Sequence, residues 1–135
     1  MNTYDVKSIV TAAIDAINRG DIEKAVTFTH SECTLNGQPL GREGDQVRNQ
    51  MVLDAFPDQH WSLDRLIAEG EWVSASYTFT GTFTNKYGDF PPTGKPVTFV
   101  GNSLYHVKDR QIVEIWEYID RLALFQQMGI IPETA

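Results

Sequence analysis

The sequence is short of several things, and each shortage removes a class of function. Its 135 residues include one cysteine, Cys33, so no internal disulfide framework and no thiolate zinc site can form. A lone cysteine of this kind reads as a small buried hydrophobe and fits a reducing cytoplasm, where the protein is expected to be made and kept. The histidines His30, His60 and His106 lie far apart and show no ligand spacing, so no metal is expected. Basic charge is scarce: 11 Lys and Arg against 18 Asp and Glu give a formal charge of −7 without a basic patch. Nucleic acid and anionic membrane are poor partners for such a chain. No run approaches the roughly 18 apolar residues of a membrane span, and MNTYDVKSIV lacks a basic region followed by an apolar one. There is no phosphate loop, dinucleotide fingerprint, repeat or linker, so residues 1–135 are expected to form one domain.

What is present begins with helical periodicity. Between Thr3 and Asn18, the residues Val6, Ile9, Val10, Ala13, Ile14 and Ile17 recur at spacings of three and four, one stripe of an amphipathic helix that Gly20 closes. Asp21 caps a short second helix that ends by His30, which is expected to be exposed. Cys33 to Leu35 is a brief strand or turn before the turn signal Asn36-Gly37. A third helix is predicted over Arg42 to Ala55, with Val47, Met51, Val52 and Ala55 inward and Arg42, Asp45, Arg48 and Asp54 outward. Phe56-Pro57-Asp58 ends it, because a residue before proline avoids the helical region.

From His60 the pattern is extended. His60 to Ala68 shows no purely polar face, whereas Val73 to Thr84 alternates apolar and hydroxyl residues and predicts a long strand with its odd-numbered face buried. Asn85 to Pro96, with Gly88, Gly94 and three prolines, is a loop that rims something. Val97 to Lys108 is a further strand, Asp109-Arg110 a tight turn, and Gln111 to Asp120 the last strand before a short apolar helix that Gly129 ends.

That last strand, QIVEIWEYID, organises the reading. Glu114, Trp116, Tyr118 and Asp120 share one face and Val113, Ile115, Glu117 and Ile119 the other. Asp120 ends a face with two large aromatics, a setting suited to a proton-carrying carboxyl. It also stands where a helix cap belongs, and the two roles are compatible. If Asp109-Arg110 is a two-residue turn, Lys108 opposes Gln111 and Asp120 faces Phe99, beside Gly101, Ser103 and Tyr105. His106 and Asn102 join that face only if a β-bulge shifts the phase.

Helices first, then four long antiparallel strands, then a helical tail is an α+β order. It predicts a curved antiparallel sheet wrapped on three N-terminal helices, a cone with one interior pocket. The segments Phe56-Pro57-Asp58, AEGEWVSASYTFTGTFT, PPTGKPVTFVG and IVEIWEYIDRLALFQQMG, in this order, resemble the SnoaL-like polyketide cyclases of the nuclear transport factor 2-like superfamily. The resemblance implies this cone, commonly a homodimer through the outer sheet face, and acid-base chemistry without cofactor or metal on a hydrophobic small molecule. In the cyclases an aspartate at the place of Asp120 is the general acid and base, and His106 lies where a polar pocket residue can stand. Trp116, Tyr118, Tyr105 and Phe79 are candidates to stack on a flat ligand, with Phe83, Asn102 and His60 as further pocket candidates. Phe83 departs from a histidine frequent among relatives. The implied reaction is an intramolecular aldol closure. Its rivals are a ketosteroid-isomerase-like proton transfer, a non-catalytic binder of a small ligand, and a dimeric scaffold with Val113, Ile115 and Ile119 as contact surface.

Overall fold

The structure is a computed structural model that describes residues 5–132. Helix α1 (Val6–Asn18) starts where Asp5 accepts a bond from the Lys7 amide, and buries Val10, Ala13, Ile14 and Ala16. Thr3, where the predicted helix window opens, lies outside the described residues. Asp21 caps the short α2 (Ile22–Ala25), and a 3-10 turn leads into strand β1 (Thr29–Leu35). This strand is longer than the brief one expected, so His30 stands half-buried in it instead of exposed at a helix end. Asn36 and Gly37, both with positive φ, turn the chain into β2 (Gln38–Pro39), and α3 (Gly41–Ala55) follows.

The long strands are β3 (His60–Glu69), β4 (Trp72–Thr82), β5 (Pro96–Lys108) and β6 (Gln111–Ile119), before α4 (Arg121–Gln127). They form one curved, unclosed sheet in the order β2-β1-β6-β5-β4-β3. The four long strands are antiparallel as predicted, and β1 adds a parallel pairing to β6, which makes the sheet mixed. β4 buries Val73, Ala75, Tyr77 and Phe79 on its odd-numbered face, with Phe83 buried beyond its end. The absence of a clean face in β3 has a cause: a bulge between Leu63 and Arg65 moves the phase by one, so Trp61 and Leu63 pack inward and then Leu66 and Ala68 do.

The same device decides the position of the last strand. Asp109 and Arg110, with φ of 51° and 65°, form the two-residue turn, and Lys108 pairs with Gln111. Between His106 and Val107 the register then shifts, so His106 pairs with Glu114, Asn102 with Tyr118 and Gly101 with Ile119. The bulge does unite His106, Asn102, Trp116 and Tyr118 on one face, as the sequence required, but it is the outer face. Asp120 accordingly meets Val100, to whose carbonyl its amide donates at 3.2 Å, and not Phe99. A one-residue slip exchanges every side chain between faces.

Helix α3 keeps Val52 and Ala55 inward and Arg42 and Asp54 outward as expected, and departs at its other positions. Val47 and Met51, expected inward, are 61% and 38% exposed, whereas Asp45, expected outward, is 6% exposed. A helix with this few apolar residues docks by whichever face finds partners, and here the polar side finds them.

Candidate functional site

A cavity of about 270 Å³ lies between the inner sheet face, α1, α3 and α4. Register fixes its order along the strands. One row joins Phe79 to Phe99, the next joins Tyr77 to Gly101 and Ile119, the third joins Ala75 to Ser103 and Glu117, and the last joins Val73 to Tyr105 and Ile115. The wall is therefore aromatic at one end and polar toward the other.

The aromatic end is tightly built. Trp61 meets Phe79 edge-on at 4.7 Å and Tyr77 at 5.2 Å, and Phe79 stacks on Phe99 at 4.8 Å. Phe125 and Met128 of the C-terminal helical region and Tyr87 of the loop before β5 complete this end. The Tyr87 contribution gives that loop the rim position predicted for it.

The polar end is an ordered network. Arg48 donates from Nε to Asp45 Oδ1 at 2.7 Å and from Nη1 to Glu117 Oε2 at 3.0 Å. Asp45 is held in turn by the Thr29 hydroxyl at 2.6 Å and the Asn49 amide at 3.0 Å. Arg121 reaches the other Glu117 oxygen at 3.5 Å. Burial works against the Arg48 charge, but the two carboxylates outweigh it and hold the guanidinium firmly protonated. Beside it, the Tyr77 hydroxyl and Ser103 Oγ are 2.8 Å apart, and Tyr105 lies next along the same strand face. Burial pushes the Tyr105 phenol up to about 12 and raises Tyr77 too, so both are neutral donors.

Of the residues singled out from the sequence, Tyr105 and Phe79 line this cavity. Phe83 sits in the core behind it, stacked on Phe56 at 5.5 Å. The others lie elsewhere. Asp120 is exposed and caps α4, accepting from the Ala123 amide at 3.0 Å. Tyr118 is 62% exposed on the outer face, Trp116 lies beside Gly37, and Asn102 bonds the hydroxyls of Ser74 and Ser76. His60 is exposed in β3. His106 stacks on Trp72 at 4.4 Å and bridges Glu114 at 2.8 Å and Glu71 at 3.0 Å. Burial works against its charge, yet the bonds to Glu71 and Glu114 raise its pKa overall. Val113, Ile115 and Ile119 do not make an outer contact surface, because Ile115 is in the core and Ile119 lines the cavity.

Glu117, Arg48 and Asp45 were missed. Their signal was present in the spacing of Asp45, Arg48 and Asn49, an acid, a base and an amide along one side of a helix poor in apolar residues, and in a lone carboxylate between Ile115 and Ile119.

Among the described residues no group of three or more His, Cys, Asp and Glu is placed to hold a metal, and no helix is long and apolar enough to cross a membrane. The Cys33 thiol is buried, and burial pushes it up to about 12.

An α+β cone with a side-chain-lined interior cavity defines the class. The chain belongs to the SnoaL-like polyketide cyclase family, whose model matches residues 7–128. Solved structures of the same fold include AclR from Streptomyces galilaeus, a candidate hydroxylase, at 21% identity and TM-score 0.86 over 96% of this chain and 84% of that one. TsrD from Streptomyces laurentii superposes with TM-score 0.85 at 22% identity, covering 97% of this chain and 99% of that one. A SnoaL-like polyketide cyclase from Agrobacterium tumefaciens gives 0.81 at 23%, covering 94% and 100%. At these identities the likeness shows the fold. Curated proteins gave no match.

Proposed function

We propose that the chain is a cyclase-type enzyme that closes a carbon–carbon bond in a hydrophobic carbonyl compound, with Glu117 as its acid and base. The observation that carries this reading is a carboxylate held by Arg48 inside an aromatic-walled cavity, in the same row as Ser103. Glu117 takes a proton from carbon next to a carbonyl, and the enolate attacks a second carbonyl of the same molecule. The new alkoxide then receives that proton from the Glu117 carboxyl, so every substrate atom is retained. A carboxylate is a weak base for a carbon acid. Two effects support the step: Arg48 and the Tyr105 hydroxyl are donors placed to stabilise an enolate oxygen, and a folded, held substrate can lower the barrier by about 7 kcal/mol. Tyr105 and Phe79 keep their expected contact with ligand in this reading, while Asp120 and His106 serve the outer face and the α4 cap.

The test follows deuterium uptake at the carbon next to the ketone of 2-tetralone by proton NMR. The native chain is expected to accelerate exchange, and Glu117→Gln to slow it by about a hundredfold. Exchange that survives Glu117→Gln sinks the assignment. Binding without exchange favours a non-catalytic binder instead, and exchange without ring closure on a dicarbonyl substrate favours isomerase-type proton transfer. The homodimer expected through the outer sheet face would use Ile67, Val100 and Tyr118, which are exposed there, in place of Ile115 and Ile119, and Val100→Lys is expected to lower its sedimentation coefficient to that of a monomer.

A further inference from the structure

We infer that the cavity selects a neutral ketone of one or two fused rings, its rings between Trp61, Phe79 and Phe99 and its oxygen at Tyr105 and Arg48. This names the substrate class of the site and rests on the reading of the cavity as a ligand site.

Three observations carry it. The first is size. An apolar cavity of about 150 Å³ holds one benzene ring. A space of about 270 Å³ is a little less than twice that, which suits two fused rings better than four. The second is the direction of polarity. Apolar contact is concentrated around the Phe79–Phe99 row, and the hydroxyls and guanidinium lie two and three rows further along the strands. A ligand satisfying both ends carries rings at one end and oxygen at the other.

The third observation is charge. Asp45, Arg48, Glu117 and Arg121 are two acids and two bases joined at 2.7, 3.0 and 3.5 Å, so the network is already balanced. A carboxylate ligand adds an unmatched charge to an aromatic-walled space, which is costly, whereas a ketone adds none. Donors remain for it. The bonds of Arg48 to Asp45 and Glu117 use Nε and Nη1, which leaves Nη2 as a donor, and the Tyr105 hydroxyl lines the same cavity near Ser103, whose Oγ is paired with Tyr77. A carbonyl oxygen accepts from both, and is in place to take up negative charge when Glu117 removes the neighbouring proton.

Calorimetric titration of the full chain with 2-tetralone, naphthalene, 2-naphthoate and the four-ring ketone progesterone tests this. The expected order puts 2-tetralone first, roughly tenfold or more ahead of 2-naphthoate and progesterone, where each tenfold is 1.4 kcal/mol. Tyr105→Phe is expected to weaken 2-tetralone about fivefold, the size of one neutral hydrogen bond, and to leave naphthalene where it was. Arg48→Gln repeats the comparison, and because that variant strands two carboxylates, Tyr105→Phe and Ser103→Ala keep the test independent of its folding. Progesterone or 2-naphthoate binding as tightly as 2-tetralone overturns the class, as does a Tyr105→Phe variant that loses naphthalene equally. If none of the four binds, the cavity is not a ligand site and the proposed function falls with it.

Discussion

Strands β5 and β6 carry two surfaces that share a backbone and differ in nearly everything else. The inner surface holds Phe99, Ser103 and Tyr105 opposite Ile115, Glu117 and Ile119, and its charged group is matched on more than one side. The outer surface holds Val100, Asn102, Leu104 and His106 opposite Glu114, Trp116 and Tyr118. It too has large aromatics and carboxylates. The lesson is that residue type alone does not mark the cavity side. What separates the two is whether another layer covers them, and α1, α3 and α4 cover only one.

The sharpest way to break the contrast is to remove the buried anchor of the inner surface. Asp45→Ala leaves Arg48 short of a partner and the Thr29 hydroxyl unmatched, and is expected to cost about 3 kcal/mol, read as a lowered urea midpoint. The slope of that transition should stay constant if the fold is otherwise kept. Next comes Gly101. A Cβ there would sit 2.7 Å from Ile119 and 2.9 Å from Tyr77, so Gly101→Ala is expected to destabilise by about 1–3 kcal/mol, and both neighbours must move. Thermal melts measure the loss, and 2-tetralone affinity reports the displaced Tyr77. A smaller effect belongs to Asp120, where Asp120→Ala removes a helix cap worth about 1 kcal/mol. Its melting temperature should fall while deuterium exchange persists, the reverse of Glu117→Gln. Exchange lost with Asp120 and kept with Glu117→Gln would exchange the roles of the two faces.

The smallest expected effect is on the outer surface and depends on pH. His106 is held charged by Glu71 and Glu114, so its folded pKa lies above the ordinary value of 6.5. The contribution is complete below that ordinary value and is lost as pH rises above it through the raised folded value. The melting-temperature gap between the native chain and His106→Gln should therefore be wider at pH 5.5 than at pH 9.

The periodicities that built the fold were plain in the sequence. Hydroxyl and apolar residues alternate through β4, the Asp109-Arg110 turn is where the hairpin bends, and α1 shows its stripe. The phase of two elements was not plain. In β6 the aromatic face, Trp116 and Tyr118, looks buried by composition, and a bulge two residue pairs past the turn places it outside. In α3 the apolar Val47 and Met51 look inward, while Asp45 finds a buried partner in Thr29 and Arg48 a half-buried one in Glu117. These two elements meet each other, so one choice of phase fixes the other. Read separately, each followed the usual rule that apolar residues go in, and a half-buried ion pair such as Arg48 with Glu117 is where that rule gives the opposite answer.

The pairing of Arg48 with Glu117 spans 69 residues, and β1 joins β6 in parallel across a still longer stretch of chain. Contacts this distant form late, because the loops they close must first be ordered. Asp45, Arg48, Thr29 and Asn49 all precede β6 in the chain, so this part of the network can be in place while Arg48 still lacks Glu117, which comes about half the chain later. The cavity is therefore complete only once β6 has paired, because Glu117 and Ile119 belong to its wall. Until β6 arrives the Arg48 guanidinium lacks its second carboxylate, and the space beside it lacks a wall.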